Sequence, residues 1–280
     1  IGDLLDLDIE YFVQVSFSTF VDMIDSLGGV EVDVPLDFCM DQDSNRNVAQ
    51  PYCLVKGEDT VIGQKPKYLD ENLIEQAPAV ALGNAKKEVL HMGNYGAKGL
   101  EQAIHLLKTG DTKAIETVEQ LEEAINTLDR KTTEYLVHLS KQSLSPSESE
   151  DHHNLFDNIR DIERIGDHVE NIIELLQYKD ANKVKFSDDA QEELEYMFNL
   201  TLETVQLALE AIETNDKEKV GIVKVKENEI DVLERKLRKN HIIRLNEGTC
   251  SGLAGIAYAD IISNLERISD HAKNICETVK

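Results

Sequence analysis

The chain has 280 residues, a formal charge of −25, no tryptophan and five prolines, with 41% apolar and 30% charged side chains. That length holds two domains and that apolar share builds real cores, and the composition suits long, solvent-washed helices better than a compact β protein. The negative charge excludes ordinary nucleic-acid binding, which neutralises phosphates with Lys and Arg, and disfavours an anionic membrane surface; cations or basic partners fit it better.

No run approaches the ~20 apolar residues that span a bilayer. The start, Ile1-Gly2-Asp3, has neither an initiating Met nor the regions of a signal peptide, so the chain reads as an excerpt whose targeting or membrane segments lie outside it. Its four cysteines form no C-x-x-C, which argues against a zinc knuckle or a thioredoxin-like site. Cys39 and Cys53 flank a polar loop, where a disulfide between them would imply an oxidising compartment.

In chain order, residues 1–66 carry 13 acidic and 3 basic side chains and three of the five prolines. Ser18–Leu27 has the apolar spacing of a short helix, ended by Gly28-Gly29. Val30-Glu31-Val32-Asp33-Val34 alternates as a half-buried strand does. Asp37–Tyr52 reads as a polar loop, and Cys53-Leu54-Val55 followed by Lys56-Gly57 reads as a strand and a turn. Tyr11–Val15, Phe20-Val21 and Ile24–Pro35, with Lys56–Gln64, resemble the middle of a LytR-CpsA-Psr domain. That family is extracytoplasmic and transfers lipid-linked polymers to the cell wall, using arginines on a pyrophosphate and a metal-binding carboxylate. This segment has one arginine, Arg46, and Asp37 stands where an acid follows Val-Pro in the family. The segment is therefore expected to be an inactive fragment.

From Tyr68 the pattern is helical, with an amphipathic stretch to Leu90 broken at Pro78. Three helical blocks then occur twice. At an offset of 105, Met92 falls on Met197, Gly110-Asp111 on Asn215-Asp216, and Glu122–Asn126 on Glu227–Asp231. At an offset of 103, Asp157–Ile172 matches Asp260–Ile275 at 9 of 16 positions. The third blocks carry packing seams: Ile162, Ile165, Val169, Ile172 and Leu176 in one, Ile261, Leu265, Ile268, Ala272, Ile275 and Val279 in the other. Ser143–Glu150 and Asn246–Gly252 read as the loops before them. The fold class is thus mainly α: two tandem three-helix bundles (repeat one about 80–178, repeat two about 185–280) behind a small, incomplete α/β fragment, with domains 1–66 and 67–280.

Glu163 and Asp167 are four apart, as are Glu266 and Asp270, and Glu227 and Asp231. On a helix each pair puts two carboxylates on one face, at a like-charge cost that a cation would offset. Oxygen ligands from facing helices suit a hard or borderline cation. The alternative is salt bridging, with Arg160 set to serve Glu163, Arg164 to serve Asp167 and Arg267 to serve Asp270. Recurrence at matched places beside the apolar seam favours ligation.

These motifs, Asp161–His168 and Leu265–His271 above all, resemble the PhoU family over residues 68–280. The resemblance implies duplicated three-helix repeats, multinuclear iron or zinc clusters, and a regulatory role in phosphate uptake without catalysis. Carried over by position, the second cluster is Glu227, Asp231, Glu266 and Asp270. The first is Glu122, Glu163 and Asp167, with the neutral and poorer ligand Asn126 where an aspartate is expected. Lys67–Glu71 and Ala85–Gly93 look like the start of the cytoplasmic PhoU-like tail of bacterial sodium:phosphate cotransporters. The implied partner is a phosphate transporter membrane domain or a phosphate-signalling protein, with homo-oligomerisation open. The implied location is the cytoplasmic face of the membrane, through a transporter domain missing from this chain.

His168 and His271, one residue past each Asp, are rotated about 100° from it and read as packing or supporting groups; His152-His153 read as surface residues of an acidic loop. No Ser-His-Asp order, phosphate-cradling glycine loop or HExxH is present, so catalytic residues are none. Two other functions are carried forward: a cell-wall polymer transferase led by residues 1–66, and a metal-free helical interaction module. Because one family works outside the membrane and the other inside, with no spanning helix between, the two segments are expected to be a composite joined near Gln64–Lys67.

Overall fold

A computed structural model describes residues 65–279 and, before them, the backbone of four short strands. The chain divides into two compact units, residues 1–67 and 68–280. In the first, β1 (Val30–Val34) pairs antiparallel with β4 (Gly57–Val61), and β2 (Phe38–Cys39) with β3 (Cys53–Leu54). Gly57, read above as part of a turn, instead begins β4 opposite Val34, because the segment after it has a strand partner in β1. The register makes Cys39 and Cys53 Cα partners; a disulfide between them falls outside what is described. The expected helix over Ser18–Leu27 and Asp37 lie outside the described residues.

The second unit is all helical: α1 (Glu71–Gln76), α2 (Pro78–Thr109), α3 (Lys113–Leu139), α4 (Pro146–Ala181), α5 (Asp188–Thr214), α6 (Lys217–Asn246) and α7 (Gly252–Glu277). Local chemistry sets the ends. Pro78, with no N–H to lose, opens α2. Gly110 closes it in the left-handed region at φ 70, its N–H bonded to Leu106 O. The matched residue in the second repeat, Asn215, takes the same conformation at φ 55 and bonds Ala211 O. Ser145 and Glu148 form a reciprocal capping box with Pro146 in the first turn, so α4 begins inside the stretch read as a loop, and residues 140–145 are the connection. Asp216 accepts from the backbone of Glu218 and Lys219, and Ser251 from Ala254, fixing the starts of α6 and α7.

Helices α2, α3 and α4 form one bundle and α5, α6 and α7 the other, joined along α2 with α5 and α4 with α7. The repeat-matched methionines Met92 and Met197 are both fully buried, as are Leu100, Leu128, Ile172, Phe198 and Leu265. Each such side chain contributes about 1.5–3 kcal/mol by leaving water. Helix α2 approaches α4 closely: a Cβ on Gly96 would sit 3.2 Å from Ile165, and one on Gly99 the same distance from Val169. Among the described residues no helix is long and apolar enough to cross a membrane.

Candidate metal centre

In each repeat the second and third helices carry the acids. Their backbones meet at small residues: a Cβ on Gly166 of α4 would lie 3.1 Å from Ile125 of α3, and the matched residue on α7, Ser269, is fully buried. This close seam puts residues four apart on either side of Ile125 and Ile230 beside the acids of the facing helix.

On α6 and α7, Glu227, Asp231 and Asp270 each offer a ligand oxygen, and these atoms lie within 4.8 Å of one another. The Glu227 side chain is 6% exposed and receives the Lys273 ammonium at 2.6 Å; Lys273 also pairs with Asp270 at 3.7 Å. Asp231 Oδ1 is buried without a hydrogen-bond partner. A buried carboxylate oxygen left unpaired is costly, and in an all-oxygen donor set it fits a hard or borderline cation. Glu266 stands outside this tight group. Burial, followed by the charges of Asp270, Asp231 and Glu234, holds its carboxyl above the usual range, while Arg267 pulls the other way.

On α3 and α4, Glu163 is raised by burial and then by Asp167, Asp129 and Glu122, against Arg164. Glu122, Glu163 and Asp167 therefore share one field. Among the described residues, however, Glu227, Asp231 and Asp270 are the one group with ligand atoms so closely gathered. Asn126 uses its amide to donate to Glu122, as a neutral residue in that place must. Of the expected salt bridges, Arg164 meets Asp167 at 3.0 Å and Glu163 at 3.5 Å, whereas Arg160 turns to Asp157.

The histidines do other work. His168 and His271 stack with centroids 5.6 Å apart where α4 meets α7. Each bonds the opposite repeat: His168 Nδ1 to Asn264 Oδ1 at 2.9 Å, and His271 Nδ1 to Asp161 Oδ1 at 2.8 Å. His152 and His153 lie on the first turns of α4, not in a loop. His152 is half-buried, with Nε2 2.8 Å from Leu136 O. Sequence reasoning missed Asp129 and Glu234, repeat-matched acids three residues past Asn126 and Asp231, and it missed Lys273. The same offset that found the other pairs also links Asp129 to Glu234.

Comparison with known proteins gives a consistent picture. The chain is 37% identical over 119 residues to the phosphate-specific transport system accessory protein PhoU homolog 1 of Thermotoga maritima, covering 42% of this chain and 50% of that protein. It is 25% identical over 187 residues to YjbB of Salmonella typhimurium, whose name assigns it to inorganic phosphate export, covering 65% of this chain and 34% of that one. The chain thus spans half or less of the length of these relatives. Two solved structures share the fold. PhoU from Pseudomonas aeruginosa has a TM-score of 0.67 at 22% identity, covering 71% of this chain and 94% of that one. The phosphate transport system regulatory protein PhoU from Streptococcus pneumoniae has a TM-score of 0.65 at 23% identity, covering 72% and 94%. The LytR_cpsA_psr family model matches residues 1–66. The PhoU domain model matches residues 89–176 and 194–279, more than half of the chain, which therefore belongs to the PhoU domain family.

Proposed function

We propose that residues 68–280 are a metal-binding regulatory domain of phosphate homeostasis that acts by docking onto a phosphate transport or signalling protein and catalyses nothing itself. The observation that carries the metal reading is the grouping of Glu227, Asp231 and Asp270 around a buried, unpartnered Asp231 oxygen. A bound cation would supply positive charge shared between α6 and α7, with Glu266 beside it and Glu122, Glu163 and Asp167 as the counterpart on α3 and α4. Iron or zinc is the metal the family resemblance implies, and the carboxylate donors are compatible with either. The phosphate role draws on the names of the Thermotoga and Salmonella relatives. The similarity to YjbB over 34% of that protein's length supports the reading of the helical unit as part of a longer phosphate-transport protein; the sodium:phosphate cotransporter tail at the cytoplasmic face is what the sequence resemblance implies. Residues 1–66 are proposed to be a LytR-CpsA-Psr fragment of separate origin, without transferase activity. Intact mass together with genomic sequence across Gln64–Lys67 tests this, and one native reading frame of that mass would refute it.

Thermal melting tests the metal reading. A ligand that binds only the folded state at 100 times its Kd adds about 2.7 kcal/mol. Zinc or ferrous iron in that excess should raise the wild-type Tm by several degrees and leave Asp231→Asn/Asp270→Asn with a smaller rise; equal responses would contradict the assignment. A metal-free interaction module is the second reading, favoured by Lys273 already lying on two of the three carboxylates.

A further inference from the structure

The repeats differ in charge sign at several matched positions, two of which bear on the acidic clusters. Glu170 and Glu119 of the first repeat correspond to Lys273 and Lys224 of the second. In the first repeat Glu170 is held above the usual carboxylate range by burial and then by the charges of Glu122, Glu174, Asp167 and Glu119. In the second, the same places carry ion pairs: Lys224 with Glu277 at 3.1 Å, and Lys273 with Glu227 at 2.6 Å. Arg164, which pairs with Glu163 and Asp167 of the first cluster along its own helix, is 54% exposed. Lys273 is different. It is 28% exposed and reaches from α7 across to the nearly buried Glu227 of α6.

Building on the metal reading above, we propose that Lys273 is a resident cation of the second cluster: it holds Glu227 and Asp270 together in the metal-free protein and must leave them when a divalent cation binds. A divalent ion and an ammonium cannot share these carboxylates, because like charges a few ångströms apart in a partly buried site repel strongly. The second cluster therefore binds metal by exchange, and the first, with Glu170 in the corresponding place, by addition. Lys273 lowers the metal affinity of the second cluster and, in return, stabilises that cluster when no metal is present.

Zinc titrations of the whole chain by calorimetry, read beside thermal melts without zinc, test this. Asp231→Asn/Asp270→Asn identifies which binding component belongs to the second cluster. Lys273→Met should tighten that component at least about tenfold, or ~1.4 kcal/mol, while lowering the zinc-free Tm. Glu170→Lys should do the reverse in the first cluster, weakening its component about tenfold and raising the zinc-free Tm. Wild-type zinc binding with no tightening in Lys273→Met overturns the inference and leaves the metal reading standing. If neither wild type nor Lys273→Met takes up zinc while both melt cooperatively, the metal reading falls and the inference falls with it. Should Lys273→Met not fold without zinc, Glu170→Lys decides alone, and an unchanged first-cluster affinity overturns the inference.

Discussion

Glu266 is the residue at which stability and function pull apart. Its carboxyl is raised by burial and by Asp270, Asp231 and Glu234, so its charged form is penalised in the metal-free fold. A group whose folded pKa exceeds its unfolded one contributes stability below the unfolded value, and that contribution is lost as pH rises through the folded value. At pH 7 without metal, Glu266→Gln should therefore raise the Tm slightly, by roughly a few tenths of a kcal/mol for relief of an i,i+4 like-charge pair. The gain should shrink as pH falls towards 5, and melts of both proteins across that range check it. With metal present the order should reverse. The Glu-x-x-x-Asp spacing was legible in the sequence because i and i+4 on one helix need no tertiary knowledge. Lys273 on Glu227 was not, since that contact joins two helices through their packing.

Between elements, the decisive contacts are those of small residues. A Cβ on Gly166 would lie 3.1 Å from Ile125, which would have to give way, and Gly166 sits between the acids of α4. Gly166→Val should cost about 1–3 kcal/mol as an overpacked contact and weaken metal uptake at the first cluster, because α3 and α4 are forced apart. Calorimetric melting and zinc titration together read both effects. At the start of α4 the reciprocal Ser145–Glu148 cap predicts that Ser145→Ala costs about 1 kcal/mol, measurable by urea unfolding. The two sets of three helices were legible from their apolar periodicity and the duplication. The first turns of α4 were not: Pro146-Ser147-Glu148-Ser149-Glu150 has no apolar period, since these turns face water, and the proline and capping box that start the helix resemble the punctuation of a loop.

The chain divides into two units, residues 1–67 and 68–280, and the PhoU domain model matches within the second. A fragment of residues 68–280 should keep the helicity, Tm and metal content of the helical part of the full chain. Circular dichroism of the fragment beside the full chain checks this, and a fragment that fails to melt cooperatively would show that the N-terminal unit is needed for folding. Under the proposed metal reading, divergence after duplication leaves the two clusters unequal. The two repeats keep the same helices and the same acidic spacing, but Asn126 weakens the donor set of one cluster and Lys273 occupies part of the other. The measurement that bears most directly on the central claim is elemental analysis of the full chain purified without chelator, wild type beside Glu266→Ala/Asp270→Ala. The account predicts bound iron or zinc in the wild type and a clear loss in the variant; a wild type free of transition metal even after reconstitution, or a variant that retains the full amount, would contradict it.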